Sequence, residues 1–444
     1  MGIAELAVGK ALKLKATEAE AYVQRTQNVK VEFAEEVETF KTTESTGLGL
    51  RVAIGKKTAI YSTSILNDTE VAEAAEKAVK IAKVAPEDPD WNHFNRKFGE
   101  TSVEGYYDRE LETMEYREIV DRLSSSTKLI KDYDKRAKPT RGILTLVTSK
   151  VSVANSHEQS AERRETSVVF SIRAKAHDLG MESTGNEHQE TRCWKEIDFE
   201  DLAVKAADKA VKFLRAKPIP GGKTIVIMRN QIFANLLGIF FGDSIGADWV
   251  QKGKSPLAGK IGTPIASENI TVTDDGTVSR GWGTRPFDDE GCPTQKTPVI
   301  EEGVLRNFLY DTYTALKANV KSTGNAQRSG YWLKPQPSPS NLLLKTGDAH
   351  PEEMILDTRR GIYVDTTIGE WLSNPVSGNL NATITHGYRV ENGELTEPVK
   401  GVVISGNFYE ILKKGIESIG KDVRNSAESY SPTVKLTEVT IAGE

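Results

Sequence analysis

His157 and Glu158 stand side by side in the stretch SHEQSAER (156–163), and a His-Glu pair opens several zinc peptidase motifs. A helical zinc site needs a second imidazole about one turn further on, so that both rings reach one ion. Four residues after His157 stands Ala161, and five after stands Glu162. The pair also lies between the strand-like runs VSVAN and TSVVF, where neighbouring side chains point to opposite faces. The spacing therefore predicts a surface turn histidine rather than a ligand. His93, His177, His188, His350 and His386 are scattered with no ligand spacing. GGKT (221–224) and GKS (253–255) resemble the tail of a phosphate-binding loop, but the upstream glycine the motif needs is Lys217 in one and Asp248 in the other.

Nucleophile signals are equally sparse. No GxSxG is present, and Cys292 lies in FDDEGCPTQ, among carboxylates that raise a thiol's pKa and dull it. Asp288, Asp289 and Glu290 could bind a cation through oxygen, or could simply build a turn before Gly291 and Pro293. The loop STGNAQRSG (322–330) carries one cation, Arg328. It could grip a carboxylate or a peptide backbone, or be a plain connector.

The elements that must position these groups divide into two textures. Residues 19–63 alternate apolar and polar in short runs broken by Gly47, Gly49 and Gly55, which reads as strands. The run DTEVAEAAEKAVKIAKVAP changes to helical spacing, with Val71, Ala74, Ala75, Ala78, Val79 and Ala82 on one stripe and a capping box offered by Asn67 and Glu70. A second helix over 113–133 puts Tyr116, Ile119, Val120, Leu123 and Ile130 on one face. Val168, Phe170, Ile172, Ala174 and Ala176 alternate along a strand whose polar face carries His177. AEKAVK (75–80) echoes ADKAVK (207–212), through duplication of a β-then-α unit or through convergence of Ala/Lys helices. Beyond RAKPIPGGK (215–223) the chain becomes short strands split by Asp275-Gly276, Glu302-Gly303 and Asn392-Gly393, the last a strong type I′ hairpin signal. Helices are expected there only near 230–241, 312–320 and 408–419. The reading is an α+β protein: an N-terminal α/β domain, 1–217, followed by a mostly-β, barrel-like domain, 218–444.

Composition narrows the function classes. In 444 residues, 58 basic and 63 acidic side chains give a net charge of −5 with no long basic block, which argues against nucleic acid as a partner. No apolar run is long enough for a membrane span, and the first residues lack the apolar centre of a signal peptide, so a cytoplasmic location is expected. Two cysteines cannot build a disulfide framework.

Several strings taken together resemble one family. SPLAGKIGTPIASENITVTDDG, FDDEGCPTQKTPVIEEGVLRNFLYDTYTALK, STGNAQR, the Asn341 strand and GYRVENGELTEPVKGVVISGN follow one another as in the TldD/PmbA family, also called modulators of DNA gyrase. GLGLRVAIG and VSVANS fit it in the N-terminal half. The resemblance implies an N-terminal α/β domain, a barrel-like C-terminal domain, and subunits that work in pairs. TldD-type subunits carry an HExxxH zinc motif on a helix early in the second domain and a further cysteine ligand near the C-terminus. PmbA-type (TldE) subunits lack them, and the heterodimer cleaves unfolded peptides in a channel. Here the motif positions fall on Gly238, Ile239, Phe240, Phe241, Gly242 and Asp243, so neither histidine nor the catalytic glutamate is present. KDVRNSAESYSPTVKLTEV holds no cysteine. The resemblance thus implies a subunit with no metal of its own, zinc residing in a TldD-type partner, and a homodimer when alone. Asn325, Arg328 and Asn341 are the expected channel-lining groups. Two alternatives are a self-sufficient hydrolase using Asp288, Asp289, Glu290 or Cys292, and an interaction module acting on DNA gyrase.

Overall fold

The computed structural model describes residues 2–443. Its N-terminal half repeats one order of elements. Helix α1 (Ile3–Lys13), strands β1 (Glu18–Phe33), β2 (Val37–Ile54) and β3 (Lys57–Thr63) and helix α2 (Asp68–Val84) come first. Helix α3 (Tyr116–Tyr133), strands β4 (Ala137–Asn155), β5 (Ser160–Asp178) and β6 (Met181–Thr191) and helix α4 (Phe199–Lys212) repeat it. The six strands make one antiparallel sheet in the order β3-β2-β1-β4-β5-β6, so the two αβββα units meet at the β1–β4 pair. The echo between AEKAVK and ADKAVK lies on the equivalent helices α2 and α4.

Alternation places the sheet's two faces. Ala19, Ala21 and Val23 of β1 pack under α1 and α2, whereas Glu20 and Tyr22 point the other way. The stripe expected on α2 is its buried face, and Asn67 caps the helix by accepting from the Glu70 N–H at 2.9 Å. No return bond from the Glu70 side chain is formed, so the cap is half of the expected box. On α3, Ile119, Leu123 and Ile130 are buried, but Tyr116 and Val120 are exposed. The buried stripe turns instead through Ser126 and Thr127, small residues that let the helix approach α4. Val168, Phe170, Ile172, Ala174 and Ala176 of β5 are all buried, with His177 exposed opposite them.

The C-terminal half holds a closed barrel of five strands: β7 (Gly222–Met228), β8 (Arg360–Ile368), β9 (Asn379–Glu391), β10 (Val402–Asn407) and β11 (Ser429–Ala442). Each pairs with its neighbour in the ring β7-β8-β9-β10-β11, and β11 returns to β7; only β7–β8 is parallel. Closure removes the exposed edges an open sheet would carry. Asn392 and Gly393 take φ of 50° and 85°, turning β9 into the strand Glu394–Val399 as a type I′ loop requires. Glu302-Gly303 likewise turns a short hairpin. Asp275-Gly276 does not: the strand ending there pairs with Lys296–Glu301 across a long intervening loop. The expected helix over 408–419 stops at Lys414, because Ile416 already pairs with Leu436 of β11. Helix α5 (Asn230–Phe241) packs Phe233, Leu236, Leu237, Phe240 and Phe241 into the barrel core.

Candidate functional site

Two places in the fold gather the residues singled out by sequence. The first is α5 with the turn that follows it. Its N-terminal end is held by Asp422, which accepts from Asn230 Nδ2 at 2.8 Å and from the Thr433 hydroxyl and N–H of β11. Gly238 faces Ser429 of β11: a Cβ on it would lie 2.9 Å from the serine hydroxyl oxygen. Ile239 packs at the edge of the core. Asp243, beyond the helix, is exposed, and partial desolvation together with the Asp248 charge pushes its carboxyl up.

The second place is the seam where the open face of the N-terminal sheet meets residues 285–334. Register puts Glu20 of β1 opposite Arg51 of β2. Glu20 Oε1 accepts from Arg51 Nη1 at 3.1 Å and also from Arg328 Nη2, while the same Arg51 nitrogen donates to Glu290 at 2.8 Å. Asp289 binds Arg163 of β5 and accepts from the Arg328 N–H at 2.7 Å, with Arg285 3.5 Å away. Burial opposes ionisation of Asp289, but these guanidinium groups hold its carboxyl below the usual range. Arg163 lies over the Phe287 ring and Arg328 over Tyr22, 5.2 and 4.8 Å from the ring centres.

This geometry shows where the residues of two expectations lie. Asp288, Asp289 and Glu290 do not converge on a common point. Asp288 accepts from the N–H groups of Glu290, Cys292 and Ala326, Asp289 faces the guanidinium groups, and Glu290 takes Arg51 and the Thr312 N–H. Their oxygens are taken by donors of this chain. Asn325, Arg328 and Asn341 do not line an open channel in this chain; they are 1, 8 and 0 % exposed. Asn325 donates to Asp274 and the Ser338 carbonyl, Asn341 bridges Asp275, Gly283 and Thr284, and Arg328 is held by Glu20 and the Leu333 carbonyl. Buried polar groups held this way stabilise loops. Burial and the adjacent Asp288 push the Cys292 thiol up to about 12, far from a nucleophile's range. His157 turns between β4 and β5 with Nε2 3.3 Å from Glu18.

The sequence reading missed Glu20, Arg163 and the role of Arg51. The signal was present as charged residues inside alternating strands, EAEAYV and GLGLRVAI, where one face was already apolar.

Residues 221–443 match the family description "PmbA/TldA metallopeptidase C-terminal domain", 19–82 match domain 1 of the same family and 109–214 its central domain. The chain belongs to the PmbA/TldD family. A relative from Methanothermobacter thermautotrophicus named a metalloprotease is 34% identical over 279 residues, 61% of this chain and 60% of that one. The chain spans about half to three-fifths of the length of the first curated relatives it matches, 60, 55 and 49%. TldE from Thermococcus kodakarensis superposes over the full length of both chains with a TM-score of 0.90 at 25% identity. A Thermotoga maritima protein named for modulation of a DNA gyrase covers 99% of both chains with a TM-score of 0.89 at 26% identity.

In a family described as metallopeptidases, the α5 positions invite a test of fit. Gly238 and Ile239 carry no donor atom, and Asp243 offers one carboxylate. Among the described residues no group of three or more His, Cys, Asp or Glu side chains is placed to share an ion. The residues present do not fit a catalytic zinc, which takes three protein ligands and a water. No described helix is long and apolar enough to cross a membrane.

Proposed function

We propose that this chain is the PmbA/TldE-type, non-catalytic subunit of a metallopeptidase pair, and that a TldD-type partner supplies the zinc and the base. The observation that carries this reading is the motif positions on and just after helix α5, which hold Gly238, Ile239 and Asp243 and no histidine. A surface beside that helix supports a partner. The end of β8 and the loop after it expose Ile368, Trp371, Leu372 and Val376, with Trp371 and Leu372 68 and 67 % exposed. Tyr409 ties this loop to α5, its hydroxyl lying 2.7 Å from the Pro375 carbonyl and 3.2 Å from that of Phe240. Clustered large apolar side chains in such a place fit protein contact better than solvent. In the pair, this subunit would shape the channel along which an extended peptide adds to a sheet edge, a mode that tolerates many sequences.

Co-expression with a TldD-type protein of the same organism tests the proposal. Purified alone, this chain should carry no stoichiometric zinc and cleave no unfolded casein; the pair should co-purify and do both. Chelator-sensitive proteolysis by the isolated chain would overturn it.

A further inference from the structure

A pocket of about 190 Å³ lies where β2 and β3 meet the loop 88–94 and the segment 311–335. Its walls are aromatic on one side, and on the other carry Arg51 and Lys334 together with Asp88 and Asp311. Trp91 and Phe94 pack edge to face, 4.8 Å between ring centres, with Tyr313 against them. Arg51 lies over the Phe94 ring at 4.8 Å. Only its Nη1 is engaged, by Glu20 and Glu290; no hydrogen bond among the described residues uses its Nε or Nη2. Lys334, exposed at the pocket, has neither an ion pair nor a hydrogen bond among the described residues. Desolvation and the Arg51 charge hold its ammonium below the usual lysine range, against a smaller pull from Asp88. The nearby acids are already served: Asp88 accepts from the Tyr313 hydroxyl at 2.9 Å and from the Asp90 N–H, and Asp311 accepts from Thr314.

We propose that this pocket binds a small organic monocarboxylate with an apolar body, the carboxylate between Arg51 and Lys334 and the body against Trp91 and Tyr313. The unpaired Lys334 ammonium and the free Nε and Nη2 of an Arg51 already paired through Nη1, beside edge-to-face rings, suit such a ligand, because charge-assisted bonds orient the head while the apolar wall takes the rest. Asp88 and Asp311 beside the cations disfavour a dianion. The volume holds one residue-sized group, and a free acid and the C-terminus of a peptide share this chemistry. The assignment stands apart from the subunit reading, since it needs neither a partner nor proteolysis.

The test is calorimetric titration of the isolated chain with N-acetyl-phenylalanine, its primary amide, inorganic phosphate and a pentapeptide ending in phenylalanine. The acid should bind roughly tenfold or more tighter than the amide and than phosphate. Lys334→Met should remove that preference at an unchanged melting temperature, and the acid should protect Lys334 from reductive methylation. Competition by the pentapeptide would support the site with a chain terminus as the source; binding of the small acid alone would support it with a free acid as the source. Equal affinity for the amide or phosphate, an unaffected Lys334→Met variant, or no binding up to about 10 mM would overturn the proposal.

Discussion

Asp311 begins α6 (Thr312–Ala318), where its Oδ1 accepts from the Thr314 N–H at 2.8 Å and from the Thr314 hydroxyl. Burial, reinforced by the Glu290 charge, raises its carboxyl from 3.8 to about 7. Asp274 and Asp288 are pushed to about 7 by the same first cause. A carboxyl with a folded-state pKa above its unfolded one favours the protonated native form. Its contribution to stability is full below the unfolded value and is lost as pH rises through the folded one. Glu187 runs the other way: burial opposes it, yet Arg229 and Lys209 hold it at about 2, so its contribution is lost as the medium becomes acidic. Stability should therefore fall between mildly acidic and mildly alkaline pH. Asp311→Asn keeps an oxygen for Thr314 and cannot ionise, so it should lose less over that interval, by about 1–3 kcal/mol. Urea denaturation at both ends of the interval reads this, and an identical decline in variant and parent would refute the assignment.

At the scale of elements, β2 and the segment carrying Arg328 approach too closely for any side chain between them. A Cβ on Gly49 would stand 1.7 Å from the Tyr331 carbonyl oxygen, and one on Gly47 would enter the Tyr331 ring. Gly49→Ala should lift this segment from the sheet and cost about 1–3 kcal/mol, with faster proteolysis near Trp332 than in the parent. Unchanged stability and cleavage would show that the segment is not clamped there. The same contact shows what sequence reasoning reached and what it could not. Short-range signals sufficed for α2, whose stripe and cap lie within one helix, for β5, whose alternation is strict, and for the Asn392-Gly393 turn. The seam depends on pairings such as Glu20 with Arg328 and Arg51 with Glu290, hundreds of positions apart along the chain. No local periodicity encodes such a meeting. Asn325, Arg328 and Asn341 looked like free polar groups only because the partners that bury them come from distant segments.

Across the whole molecule, two buried charge networks fasten the halves together. One is the seam around Glu20; the other joins Lys209 of α4 and Glu187 of β6 to Arg229 and Asp365 at the barrel. Within the barrel half, Tyr409 holds the exposed loop after β8 beside α5. Under the proposed pairing, the Trp371 side chain is an anchor, and contact anchors of this kind carry about 2 kcal/mol or more. Trp371→Glu places a charge where the partner would have to desolvate it. The variant should retain the parent's melting temperature as an isolated chain, since this residue contributes little to its own core. Its affinity for a TldD-type partner, followed by light scattering or calorimetry, should fall roughly thirtyfold or more. A drop in melting temperature would mean the side chain supports the loop instead. Full-strength pairing by a well-folded variant would move the partner contact elsewhere on the molecule and leave the histidine-free motif positions at α5 as the remaining support for a paired enzyme.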